Sequence, residues 1–599
     1  MINARQKLTL RQNFQSFVDL DTGISDGRKY AKSRALDTVK NREPLGNWNL
    51  LSFVRNFGFN TPMQGYFALV LHAHLPFVRH PEHEKFLEES WLFEAVTETY
   101  IPLLQMLEGW RRDRMSAPVT ISLSPPLCAM LLDPLLCRRY EQHLDGLIDL
   151  AEKEIRRTHW DRPFRELAWM YHHRFSGVRN TWRNCGGNLV HAFKQLQDEG
   201  RIEIITTAAT HGLLPLLANH PPSIRGQILT ARDHYKNCFG RDPGGIWLPE
   251  CAYVPGVETF LQEANIRWFI LDTHGILHAK PRPRFGSFAP VFTPNGIAAF
   301  GRDFDSSRQV WSQREGYPGD PRYRDFYRDI GFDLDFDYVK PHLPSPEIRG
   351  FTGIKYYKIT GTGEKQIYRR EDAVRTADEH AQHFLNERVG QVQRLSGILD
   401  RPPLMVAPYD AELFGHWWHE GVEFLDFFAR KLVHDQKVVE LITPAGYLRR
   451  HPTNQIATPG GSTWGEEGYL RVWLNEKNEW ILPHLQIAQD RMSELADEFH
   501  KTHAHAHGKK TSKADELKAR GLRQAARELL LAQSSDWPFI LRAGTSPDYA
   551  RRRVKEHLLR FIALHEQLTS TSIDEQWLHE VESRDNIFPG ADWNYWRTR

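Results

Sequence analysis

Short apolar runs that break off into loops carrying Pro, His or an acid recur from Gly65 onward, with helical patterns between them. This alternation restricts the fold more than any other feature. The runs are GYFALVLHAHLPF from Gly65, PVTISLSPPL from Pro118, RIEIITTAATHG from Arg201, GGIWLPECAY from Gly244, RWFILDTHG from Arg267 and PLMVAPYDAELFGHWW from Pro403. Each is rich in β-branched and aromatic residues and has the length of a strand buried on both faces. Between them, WLFEAVTETYIPLLQMLEGW from Trp91, GVETFLQEAN from Gly256 and HAQHFLNERVGQVQRL from His380 space their apolar residues as helices do. Buried strands alternating with helices predict an α/β fold, a parallel sheet or barrel. The segment 132–197 reads as a mainly helical insert, and the pattern after Trp464 is mainly helical. The expected layout is therefore an N-terminal extension over 1–62, a catalytic α/β unit over 63–452 and a helical C-terminal domain over 453–599 that contributes to the active-site cleft.

Charge and cysteine usage exclude several classes. With 77 Lys and Arg against 75 Asp and Glu, the net charge of +2 offers no footprint for nucleic acid or an anionic membrane. The five cysteines are odd in number, widely spaced and without a CxxC pair, so neither a disulfide framework nor a zinc knuckle is expected. The start of the chain lacks the apolar core of a signal peptide, and no stretch reaches the length of a membrane span. A cytoplasmic protein is the expectation. The 18 Trp, beside 33 Phe and 19 Tyr, supply flat faces that suit sugar rings as well as cores.

In a parallel barrel the loops at the C-terminal strand ends converge, so reactive groups collect there. Glu250 ends the run Ile246-Trp247-Leu248-Pro249, and Asp410 ends LMVAPYD with Glu412 two residues on. A single acid in such a place is a helix cap or an ion-pair partner. Two of them ending separate apolar strands suggest a task, because burying unpaired carboxylates is costly. A carboxylate pair suits glycosyl transfer. Retention needs carboxyls roughly 5–5.5 Å apart and inversion about 6.5–9.5 Å. His72 and His74 are spaced to share one strand face, which fits two contacts to a ligand or a metal with Asp272 or His274 as third donor. His211 closes TTAATHG. Trp464 and Trp473 flank Gly465-Glu466-Glu467-Gly468 as either a groove wall or a packed turn, and Asp536 before Trp537 is either a cap or a hydroxyl acceptor. The HAHAH stretch from His503 lies in Lys-rich surroundings that read as an exposed loop.

HAHLPF, EIITTAATHG, GIWLPECAY, APYDAELFGHWW and WGEEGYLRVW, in this order, resemble the five motif regions of glycoside hydrolase family 57, and within it the 1,4-α-glucan branching enzymes. The resemblance runs from about Gly65 to the C-terminus. It implies an incomplete (β/α)7 barrel with helical insertions and a helical C-terminal domain. It implies Glu250 as nucleophile and Asp410 as acid/base, with His72, His74 and His211 lining the donor sugar site beside Trp247. It further implies Trp464 and Asp536 as substrate contacts, Trp473 as an aromatic wall and Arg328 as another contact. Phe332 departs from the Trp expected there, which bears on the acceptor side. The implied partner is an α-glucan handled by a monomer or small homo-oligomer, with no cofactor and no metal. The alternatives are an α-amylase or 4-α-glucanotransferase of the same family and, from a different class, a metal-dependent polysaccharide deacetylase using the HxH pair.

Overall fold

The structure, a computed structural model, describes residues 64–311, 316–503, 512–570 and 572–598. The expected extension over 1–62 and the His/Lys-rich stretch 504–511 lie outside the described residues. Nine strands are described: β1 (Gly65–Ala73), β2 (Val119–Leu123), β3 (Ile202–Ile205), β4 (Gly245–Trp247), β5 (Trp268–Leu271), β6 (Val291–Phe292), β7 (Ala298–Gly301), β8 (Leu404–Asp410) and β9 (Val439–Leu441). They form two sheets. One runs β3-β2-β1-β8, with β9 also pairing to β1, and the other runs β4-β5-β7-β6. Single parallel bridges, Thr206 to Ile246 and Arg302 to Val406, join the sheets at both seams. Seven parallel strands, β1 to β5 with β7 and β8, thus encircle one axis, and the thin seams make the barrel incomplete.

The alternation of strand side chains divides inside from outside. Phe67, Leu69 and Leu71 of β1 join the large cluster that packs under the helices. Ala68 and Val70 join Ile205, Trp247, Trp268, Ile270, Ala298, Phe300, Leu404 and Val406 in a separate cluster that fills the barrel. The interior is a packed core, as in other parallel barrels. Gly245 is needed where this filling is tightest, since a Cβ there would lie 2.2 Å from the Trp268 ring. Following the inward rows toward the C-terminal mouth, apolar residues give way to polar ones at one level. Val70 leads to His72, Val406 through Pro408 to Asp410, Ile270 to Asp272 and Phe300 to Arg302. His72 and Asp410 are register partners on neighbouring parallel strands, so their side chains leave the sheet on the same face.

Four helices, Pro125–Leu132, Pro134–Arg157, Arg162–Asn184 and Leu189–Asp198, stand between β2 and β3. The first starts directly at the end of β2, where Ser124 accepts from Leu127 N–H at 3.3 Å as its cap. The C-terminal helices Ile481–His503, Lys513–Ala532, Asp536–Ala543, Pro547–Thr569 and Glu575–Arg584 pack into a layer against the barrel. The turn between the second and third of these reaches the mouth. Ser534 bridges to Gly212, and Ser535 N–H donates to the His211 carbonyl at 3.1 Å.

Candidate active site

Glu250 stands one short turn beyond β4 with φ 60° and ψ 27°, a left-handed conformation for a residue with a side chain. Cys251 and His211, at φ 47° and φ 57°, share that conformation. Such backbone costs on the order of 1 kcal/mol or more per residue, and persists where the surroundings over-determine it. Three of the seven non-glycine residues with positive φ among those described therefore meet at one end of the barrel. The main chain is locked here by Trp464, whose N–H donates to the Glu250 carbonyl at 3.1 Å. The Trp464 indole Nε1 donates to Glu250 Oε2 at 2.7 Å. The other oxygen, Oε1, lies 3.8 Å from His211 Nδ1.

A histidine relay carries the site across to β8. His211 Nδ1 pairs with Ser535 Oγ at 2.8 Å, and its Nε2 meets His72 Nε2 at 3.0 Å. His72 Nδ1 is held by Ser122 Oγ at 3.0 Å, and its ring lies parallel to Trp247 with centroids 4.5 Å apart. Asp410 is the register partner of His72. The carboxylates of Glu250 and Asp410 both act on the Cys251 thiol: burial is the main cause that pushes it well above its ordinary pKa, and the two charges add to it. The fold thus brings two acids 160 positions apart to one end of one barrel.

His74 lies on the C-terminal side of this relay. Its ring stacks on His211 at 4.0 Å, and its Nε2 donates to Asp536 at 3.1 Å. Burial alone would lower the His74 pKa. The Asp536 carboxylate, by charge and hydrogen bond, outweighs it together with Glu412 and Glu250, so the pKa is raised. Asp536 is held below its usual range by the same pairing, against the upward push of burial. Burial first, and then the charge of His74, push His72 and His211 well below 6.5. The mouth therefore presents two neutral imidazoles beside one, His74, whose proton is held more tightly than usual. Neutral imidazoles both donate to and accept from hydroxyls, which is the chemistry a sugar ring demands.

Several other expectations change in detail. Asp272 and His274 are not third ligands to an HxH pair. Asp272 pairs with His274 Nδ1 at 2.9 Å and with Arg302 at 3.3 Å, and that arginine lies 5.3 Å from the centroid of the Trp464 ring. Trp247 is fully buried and backs His72, so it supports the site from below. Trp473 is only 2% exposed and packs against Gly465, where a Cβ would come within 2.7 Å of its ring; it shapes the Trp464 turn and presents no open face. The Arg328 guanidinium donates to the carbonyls of Gly361 and Gly363 at 3.0 and 3.3 Å and pairs with Asp325, a loop-holding role outside the relay. Phe332 packs edge-on against Phe351.

Ser122, Ser535, Arg302 and Tyr100 escaped the sequence reading. Tyr100 donates to Glu412, which also accepts from the His74 backbone N–H at 3.1 Å. Burial is the chief cause that pushes the Glu412 pKa up to about 7, opposed by these hydrogen bonds. The serines carry no sequence signal of their own, although Ser534-Ser535 directly precedes Asp536. Arg302 ends a strand too short and too rich in Ala and Gly to stand out.

Donor atoms of His74, His211 and Asp536 all lie within 4.8 Å of one another, as do those of Glu528, His557 and Asp585 in the helical domain. In the second group, Arg560 pairs with Asp585 at 2.8 Å and Arg553 at 3.5 Å, so its positive charge is already supplied.

Residues 68–459 match the family model for glycosyl hydrolase family 57, and residues 484–596 match that for the C-terminal region of 1,4-alpha-glucan branching enzymes. The chain is 33% identical over 563 residues to a 1,4-alpha-glucan branching enzyme of Thermococcus kodakarensis, covering 88% of this chain and 78% of that one. An α-amylase of Thermotoga maritima superposes with a TM-score of 0.82 at 41% identity, over 90% of this chain and 100% of that one. A branching enzyme from Pyrococcus horikoshii superposes with a TM-score of 0.79 at 33% identity, over 90% and 97% respectively.

Proposed function

The chain belongs to glycosyl hydrolase family 57, and from that premise we propose that it is a 1,4-α-glucan branching enzyme working through Glu250 and Asp410. One observation carries the reading. The helical segment that matches the branching-enzyme C-terminal region places Asp536 on His74 and Ser535 on His211, inside the carboxylate site. The unit over 63–452 and the domain over 453–599 then share one cleft.

In the proposed reaction Glu250 attacks C1 of an α-1,4-linked glucose. The Trp464 indole holds Oε2 and so fixes the direction of the carboxylate. Asp410 gives its proton to the departing glycosidic oxygen, and a β-linked glycosyl-enzyme results. Asp410, now ionised, takes the proton of a 6-hydroxyl on a glucan chain. That oxygen displaces Glu250 from C1, and an α-1,6 branch forms with net retention. His72, His74, His211 and Asp536 bind the donor sugar, and the Trp464 turn shields the intermediate from water. No step requires a cofactor or a metal. The setting we propose is glycogen-type synthesis in the cytoplasm by a monomer or small homo-oligomer, with an α-glucan as its only polymeric partner. No helix among the described residues is long and apolar enough to cross a membrane.

A second reading has its own support. The α-amylase that superposes at 41% identity favours hydrolysis through the same two acids. Amylose distinguishes them. Branching lowers iodine staining with few new reducing ends and yields α-1,6 linkages, whereas hydrolysis releases reducing ends in proportion to the lost stain. The deacetylase reading requires loss of activity on chelation.

A further inference from the structure

We propose that His74, His211 and Asp536 form a site for a zinc-class divalent ion whose occupancy blocks the glucan reaction. The donor set is two imidazoles and one carboxylate, all with donor atoms within 4.8 Å of one another. Such mixed nitrogen and oxygen donors favour Zn2+ or Co2+ over Mg2+ or Ca2+, which take oxygen ligands. Tetrahedral coordination needs donors a little over 3 Å apart for metal-ligand lengths near ~2.0–2.1 Å. The His74–Asp536 edge, at 3.1 Å, is already at that spacing.

Supporting contacts of the kind that orient metal ligands are present. Asp536 is held by Ser534 Oγ at 2.5 Å. Whichever ring nitrogen of His211 turns to the ion, the other keeps a partner, Ser535 on Nδ1 or His72 on Nε2. Outer partners of this sort fix tautomer and ring direction. His74 Nδ1 is buried and meets no hydrogen-bond partner, so no bond on that side of the ring fixes it, and Nε2 can turn from Asp536 toward an ion.

The blocking effect rests on the role assigned to Glu250 above. Its Oε1 is 3.8 Å from His211 Nδ1, so an ion on that imidazole draws the carboxylate into its field and away from C1. The same imidazoles would no longer be free to bind sugar hydroxyls.

The test is a Co2+ titration of the full chain, followed by visible ligand-field absorption. One equivalent with tetrahedral intensity is expected, displaced by Zn2+. His74→Ala and Asp536→Asn should each weaken it at least about tenfold, with circular dichroism confirming the fold. A variant with Ser at His503, His505 and His507 should bind as wild type does. The idea fails if no tetrahedral Co2+ forms, if both site variants bind normally, or if the His-rich variant alone loses the ion. In parallel, Zn2+ should inhibit amylose conversion and EDTA restore it. Activity lost in EDTA would overturn the blocking role. Binding spectra are silent on whether the product is branched, so this inference and the branching assignment fail independently.

Discussion

At the barrel mouth His74 pairs with Asp536, and their side chains stay 9% and 17% exposed. In the C-terminal domain His557 sits between Glu528 and Asp585, and all three are fully buried. The residue types are nearly the same, yet the surroundings differ. Arg553 and Arg560 balance the two acids of the helical cluster, and Gln524 donates to Glu528 at 2.8 Å. Burial, and then the charge of Arg553, push His557 well below its ordinary pKa. At the mouth that balance is partial, with Arg302 paired to Asp272 but no arginine on Asp536 among the contacts described. The Trp464 indole holds Glu250 and the His74 imidazole holds Asp536, and both carboxylates stay partly open to a ligand. A sealed and neutralised cluster does structural work, whereas an open one with strained backbone is available for chemistry.

The sharpest way to break this contrast is to neutralise one acid in each region. Glu250→Gln should lower turnover on amylose by on the order of 10³-fold or more while leaving the thermal midpoint nearly unchanged. Near-normal turnover would remove Glu250 from the mechanism. Asp585→Ala should do the converse. It takes the shared acid from the buried Arg553 and the half-buried Arg560, so denaturant titration should show a loss of about 3–5 kcal/mol, with activity per folded molecule retained. A stable but inactive Asp585→Ala protein would mean the two regions are coupled.

Glu412 sharpens the comparison, because the mouth carries a buried acid that is poorly compensated. Its folded pKa of about 7 exceeds the ordinary 4.5. The stability it contributes is therefore complete below pH 4.5 and lost as pH rises to about 7. At about 1.36 kcal/mol per unit, the loss approaches about 3 kcal/mol. Glu412→Gln should flatten that window, gaining on wild type at pH 8 relative to pH 4.5. Parallel stability-pH curves for the two proteins would contradict the account. Trp464→Phe is expected to have the smallest effect. It keeps the ring under Arg302 but removes the N–H on Glu250, costing about 1.5–3 kcal/mol in kcat/KM. It should also raise the share of hydrolysis, measured as reducing ends per α-1,6 linkage; an unchanged ratio would mean the indole does not shield the intermediate.

The strands from Gly65, Pro118, Arg201, Gly244, Arg267 and Pro403 were legible because each is an apolar run ended by a polar signal. β7, with Ala298-Ala299-Phe300-Gly301, and β9, with only three residues, lack that contrast. Missing β7 also hid Arg302. Trp473 stayed open between groove wall and packed turn for another reason. A Trp beside glycines reads the same whether its ring faces a groove or fills a core, and only packing against Gly465 separates the two.

The order of apolar runs and their terminal acids, which local side-chain chemistry dictates, determined an α/β fold of parallel strands with Glu250 and Asp410 at strand ends. Tertiary structure alone decided the rest. It decided that His72 faces Asp410 through strand register, that Ser535 and Asp536 arrive from a helix more than 300 positions beyond His211, and that one acid-histidine cluster stays open while the other is sealed by arginines. Such pairings depend on where distant segments dock, and that is set by the summed packing of the whole core, which no local pattern of residues encodes.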